Sequence, residues 1–151
     1  LAMRALGHGL KVCVIQFIKG TWKYGELLSA ERFEGLLDFH VMGKGFVWTS
    51  KDREASKKTA REAWMFAEKS IESDKYHLVI LDELTYLINY GIISQKEVLK
   101  CLAQRRDDLH VVITGRDAPQ ALVDAADLVT AMIEMKHPFK QGIKAQKGIE
   151  F

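Results

Sequence analysis

The stretch Leu78-Val-Ile-Leu-Asp-Glu-Leu-Thr-Tyr86 constrains this chain most. Its leading apolar residues run into Asp82 and Glu83 with no turn residue between them. A short apolar run of this kind suits a strand buried on both faces of a parallel sheet. The two carboxylates then fall at the carboxyl edge of that sheet, where open α/β sheets bind ligands. Burying a carboxylate is costly unless something cationic offsets it. An apolar strand ending in an acid is also the pattern that holds magnesium on a nucleotide phosphate. The alternative is a strand whose Asp82 caps the following helix.

Strand and helix patterns alternate along the rest of the chain. Leu1 to Leu6 reads as the end of an amphipathic helix, stopped at Gly7-His8-Gly9. Lys11 to Lys19 is apolar and β-branched, as a buried strand should be. Lys19-Gly20-Thr21-Trp22 is the loop at its carboxyl end. Glu26 to Glu34 is short and mixed, with some helical character, and Asp38 to Met42 is a second strand. A long helix is expected near residues 53–73. Ala60, Ala63, Trp64, Ala67 and Ile71 form its apolar stripe, and Lys57, Lys58, Arg61, Glu62 and Lys69 its solvated face.

After the Leu78 strand, Leu84 to Asn89 is a turn or short helix. Ser94-Gln-Lys-Glu97 is a capping box that opens a helix running to about Gln104. Leu109 to Thr114 is expected as another buried strand, ending in Gly115-Arg116-Asp117. Pro119 suits the first turn of a helix to about Ala126. Leu128 to Met135 is expected as a fifth strand. The rhythm predicts an α/β fold over residues 1–151 as a single domain, a mostly parallel sheet flanked by helices.

Composition excludes several classes. The 151 residues carry 22 basic and 20 acidic side chains, a net charge of +2. That balance makes no case for a nucleic-acid or membrane partner. No run approaches the roughly 18 apolar residues of a membrane span, and Leu1 to Gly7 lacks a signal-peptide layout. Cys13 and Cys101 form no CxxC; Cys13, mid-strand, reads as a buried inert thiol in a reducing cytosol. The five histidines show no metal-ligand spacing.

An acid-ended strand of this type calls for a GxxxxGK[ST] phosphate loop. Gly43-Lys44-Gly45 lacks the hydroxyl residue, and Lys19-Gly20-Thr21 has the wrong order. The helical fragment at Leu1 is expected to be the helix that follows such a loop.

Five motifs in order carry a resemblance: Val14-Ile-Gln-Phe-Ile-Lys-Gly-Thr-Trp22, Gly45-Phe-Val-Trp-Thr49, Leu81-Asp-Glu-Leu-Thr-Tyr86, Ile113-Thr-Gly-Arg116 and Lys144-Ala-Gln-Lys-Gly-Ile-Glu-Phe151. Together the chain resembles the P-loop-type ATP:corrinoid adenosyltransferase family. The resemblance implies a RecA-like α/β fold whose first strand and phosphate loop would precede Leu1. It implies transfer of the 5′-deoxyadenosyl group of ATP to the cobalt of a reduced Co(I) corrinoid, such as cob(I)alamin, with triphosphate released. Glu83 is then the magnesium ligand, with Asp82 beside or behind it. Arg116 clamps phosphate at the end of its strand, with Thr114, Gly115 and Lys19 nearby. Phe46 and Trp48 are similar to the aromatic pair that keeps an axial ligand off cobalt, and Trp22 lines the pocket. Plain core packing is the other account of all three aromatics. The resemblance further implies a cytoplasmic homodimer served by a flavoprotein reductant. Two rival functions remain: a RecA-like ATPase in which Glu83 activates water, and a non-catalytic corrinoid-binding module.

Overall fold

The structure is a computed structural model that describes residues 1–20, 25–43 and 53–149. Among the described residues the sheet has four parallel strands, β1 (Val12–Gln16), β2 (Leu37–Val41), β3 (Leu78–Asp82) and β4 (His110–Ile113). They lie side by side in the order β2-β1-β3-β4. The helices are α1 (Ala2–Gly7), α2 (Gly25–Ala30), α3 (Arg53–Glu72), α4 (Leu84–Asn89), α5 (Gln95–Ala103) and α6 (Gln120–Ala125). Short 3-10 turns occupy Glu31–Phe33 and Pro138–Gln141.

The central strands are the apolar ones because both their faces are covered. Alternate side chains go to opposite faces. Cys13 and Ile15 of β1 and Val79 and Leu81 of β3 share one core with Ala60, Ala63, Trp64, Ala67 and Ile71 of α3. Those five α3 residues are the stripe expected from the 3.6-residue period, and all are buried. Leu84, Leu87, Val98 and Cys101 bring α4 and α5 onto the same side. Val12, Val14 and Leu78 face the other way, onto Leu6 of α1. Cys13 is fully buried, and burial pushes its thiol up to about 11, as an inert core cysteine should behave. At α5 the capping box forms in full: Ser94 Oγ accepts from the Glu97 amide and the Glu97 carboxylate accepts from the Ser94 amide.

Two strand expectations are corrected. Leu109 to Thr114 is not a buried strand: β4 closes one side of the described sheet, and its residues are exposed or half-buried. Leu128 to Met135 is not a strand at all. Its residues have the composition for one, but a strand needs a hydrogen-bonded neighbour, and among the described residues this run joins no sheet. Its side chains stand in solvent, with Leu128 81% and Met132 95% exposed.

The register decides where chemistry can sit. Gln16 of β1 lies opposite Asp82 of β3, and Leu81 opposite Ile113 of β4. Three strand ends, Gln16, Asp82 and the Ile113–Thr114 step, therefore line up along one carboxyl edge. From β1 the chain goes to β2 on one side; from β3 it goes to β4 on the other. The loops after β1 and β3 diverge at this switch point, which opens a crevice between them.

Candidate active site

The crevice holds about 220 Å³ and is lined by Ile18, Lys19, Glu83, Tyr86 and Tyr90. Ile18 and Lys19 come from the loop after β1. Glu83 is the residue between β3 and α4; Tyr86 projects from α4 and Tyr90 is that helix's C-cap, one turn later. Their rings lie 6.0 Å apart, tilted by 32°.

Asp82 and Glu83 have different surroundings. Each Asp82 carboxylate oxygen is taken: Oδ2 accepts from Gln16 Nε2 at 3.1 Å and Oδ1 from the Thr114 hydroxyl at 2.8 Å. Those donors are the neighbours that strand register places on either side. Asp82 therefore does not cap α4. Glu83 stands at the helix N-cap in the left-handed region, φ 64° and ψ 27°, and its side chain makes no capping bond. A non-glycine residue there is strained by about 1 kcal/mol or more. Its amide donates to Thr114 Oγ1 at 3.0 Å. Its carboxylate Oε2 is buried and lacks a hydrogen-bond partner among the described residues. Burial first, and the Asp82 charge second, raise the Glu83 carboxyl above its ordinary value; Arg116 and Lys19 pull the other way.

The loop after β4 is stitched onto α4. The buried Thr85 hydroxyl donates to the Arg116 carbonyl at 2.7 Å. Asn89 Nδ2 donates to the Arg116 carbonyl at 3.1 Å and to that of Asp117 at 3.2 Å. Gly115 has φ +143°, and a Cβ on it would lie 2.0 Å from Thr85 Oγ1, so only glycine lets the loop approach. The Arg116 side chain is exposed. Lys19 lines the crevice and is ion-paired to Glu26 Oε1 at 2.9 Å.

The fold thus brings Lys19, Asp82, Glu83, Thr114, Gly115 and Arg116 to one sheet edge. Trp22, Phe46 and Trp48 lie outside the described residues. Gly43, the last described residue before Phe46, packs its backbone on the exit of β1; a Cβ there would meet the Phe17 carbonyl oxygen at 2.6 Å.

The sequence profile of the family described as ATP:corrinoid adenosyltransferase BtuR/CobO/CobP matches residues 1–151. The chain belongs to the ATP:corrinoid adenosyltransferase family. The corrinoid adenosyltransferase of Pseudomonas aeruginosa is 44% identical over 151 residues, covering all of this chain and 74% of the relative. That of Escherichia coli (strain K12) is 40% identical over 150 residues, 99% of this chain and 76% of the relative. That of Sinorhizobium sp is 39% identical over 153 residues, all of this chain and 72% of the relative. Membership makes the chain an enzyme of the transferase class, as its motifs predicted. No helix among the described residues is long and apolar enough to cross a membrane.

Gln16, Thr85, Tyr86, Asn89 and Tyr90 join this edge in the fold without being among the site residues that the sequence motifs single out. A signal was there. Thr85-Tyr86 and Asn89-Tyr90 repeat four residues apart, which stacks two polar side chains on one helix face and two tyrosines on the next. Gln16 is a polar residue ending an otherwise apolar strand, and it is only 4% exposed.

Proposed function

We propose that this member of the family transfers the 5′-deoxyadenosyl group of ATP to the cobalt of a reduced Co(I) corrinoid, in adenosylcobalamin synthesis and corrinoid salvage. The cobalt electron pair attacks the ribose C5′. The Co–C bond forms, the C5′–O bond breaks, and triphosphate leaves with the electrons of that bond.

The observation that carries the site assignment is Glu83 Oε2, buried beside the crevice and without a hydrogen-bond partner among the described residues. A hard cation would satisfy such an oxygen. Magnesium on a nucleotide takes one or two protein carboxylates, with phosphate and water completing the shell. Glu83 is the direct ligand in this proposal. Asp82 stands behind it, with both oxygens already engaged. When bound, magnesium would neutralise charge that builds on the departing triphosphate. Arg116 clamps a phosphate through its planar fork. Lys19 exchanges Glu26 for phosphate, and Thr114 and Gly115 hold the loop in place. Glu83 has no water to activate in this reaction.

Phe46 and Trp48 are assigned to the lower face of the corrin, where they exclude the axial ligand and ease reduction of Co(II). Trp22 is assigned to the pocket wall. Sequence resemblance supports these three assignments. It also supports a homodimer, a cytoplasmic site of action, a flavoprotein electron donor, and residues 1–151 acting as one domain.

The test is anaerobic incubation of the full-length protein with ATP, magnesium and reduced cobalamin, followed by absorbance and product analysis. Adenosylated corrinoid with triphosphate supports the proposal. ADP with phosphate would point to an ATPase instead, and corrinoid binding without turnover to a binding module.

A further inference from the structure

Three independent devices converge on the backbone of one exposed residue. Thr85, 2% exposed in the first turn of α4, spends its hydroxyl on the Arg116 carbonyl at 2.7 Å. Asn89, one turn later, donates to the same carbonyl and to the next one. The Arg116 oxygen thus has two donors, one for each lone pair. On either side of Arg116 the chain takes unusual conformations, Gly115 at φ +143° and Asp117 at φ +51°. Strain of this kind persists only where the surroundings over-determine it. Gly115 is further pinned because no Cβ fits against Thr85. Before it, Thr114 joins both the Asp82 carboxylate and the Glu83 amide.

A loop that only linked β4 to α6 would need none of this. The loop is instead locked to the helix that begins at Glu83, and what it presents to solvent is the Arg116 guanidinium. We propose that Thr85 and Asn89 are positioning residues, which fix the Arg116 guanidinium relative to Glu83 so that it meets the triphosphate of bound ATP without reorganising. This rests on the assignment of Arg116 to phosphate given above. A cationic group already in place lowers the barrier because its alignment is settled before the reaction. Thr85 and Asn89 act without touching either substrate, and α4 becomes the reference frame for both the carboxylate and the guanidinium.

The experiment uses the full-length protein and steady-state adenosylation of reduced cobalamin. Thr85→Val replaces the donor with a methyl group that presses on the Arg116 oxygen; Thr85→Ser keeps the donor. Thr85→Val should lower kcat/KM for ATP by about tenfold to a hundredfold, with KM for the corrinoid changed less than about twofold. Thr85→Ser should restore most of the loss. Asn89 is exposed, so Asn89→Ala tests the second donor without disturbing the core, and it should act in the same direction. The deciding measurement is the double variant Thr85→Val/Arg116→Ala. If Thr85 acts through Arg116, Thr85→Val costs nothing further in kcat/KM for ATP once Arg116 is already Ala, although the thermal midpoint still falls. Additive losses in the double variant would overturn the proposal. So would unchanged ATP kinetics in both Thr85→Val and Asn89→Ala, or unchanged kinetics in Arg116→Ala. Absence of adenosylation by the wild-type protein would overturn the functional proposal itself, and this one with it.

Discussion

The Thr114 hydroxyl donates to Asp82 Oδ1 at 2.8 Å while its oxygen accepts the Glu83 amide at 3.0 Å. One side chain at the end of β4 thereby orders both consecutive acids of β3. Strand register makes this possible, since Leu81 pairs with Ile113 and their successors emerge side by side. Thr114→Val should remove both bonds at a cost of about 1 kcal/mol, or roughly 2–4 °C in Tm. Adenosylation should fall with it, and Thr114→Ser should be near neutral in both. Thermal unfolding alongside product analysis checks this; a Thr114→Val protein with wild-type turnover would contradict it.

Glu83 should trade stability for function. Its carboxyl is raised, by burial first and Asp82 second. A carboxyl raised on folding favours the folded chain while protonated. That contribution is lost as pH climbs from the ordinary glutamate value through the raised one. Glu83→Gln removes the dependence. Without ligand, the variant should melt roughly 1–3 °C above wild type at pH 7, and the gap should close as pH falls below the ordinary glutamate range. Adenosylation should be lost. Melting curves from pH 3 to 8 test the sign.

Gly115→Ala should be among the costlier single changes. The new methyl would meet Thr85 Oγ1 at 2.0 Å in a backbone conformation that disfavours any side chain. Clash and strain together should cost about 2 kcal/mol or more, read from urea midpoints. Gly43→Ala should be similarly costly, because the obstruction is the Phe17 carbonyl rather than a side chain that can move.

Ser94→Ala should separate stability from chemistry. It removes a complete capping box at the start of α5, worth about 1 kcal/mol. Ser94 is no part of the crevice lining. Chemical denaturation should therefore register the loss while kcat per folded molecule stays at the wild-type value.

Phe46→Ala/Trp48→Ala should abolish adenosylation that starts from Co(II) corrinoid while leaving ATP binding largely intact. Equilibrium binding of ATP and anaerobic turnover from Co(II) and from prereduced Co(I) distinguish the steps. Undiminished turnover from Co(II) would remove the aromatic pair from the corrin face.

Much of this protein is legible along the chain. Local pattern makes the buried stripe of α3, the acid-ended strand β3 and the capping box of α5 legible, because each depends on neighbours within a few residues. The pairing of acids at 82 and 83 is likewise local. Tertiary structure decided what sequence spacing cannot encode. Leu128 to Met135 has the composition of a strand, yet strands exist only with partners, and that run found none among the described residues. Asp82 and Glu83 are adjacent and chemically alike, yet register surrounds one with Gln16 and Thr114 and leaves an oxygen of the other without a partner among the described residues. Thr85 and Asn89 find their hydrogen-bond partner, the Arg116 carbonyl, some thirty positions away in the chain. Local pattern proposes helix and strand; only packing, which joins distant segments, decides which strands find partners and which side chains face one another.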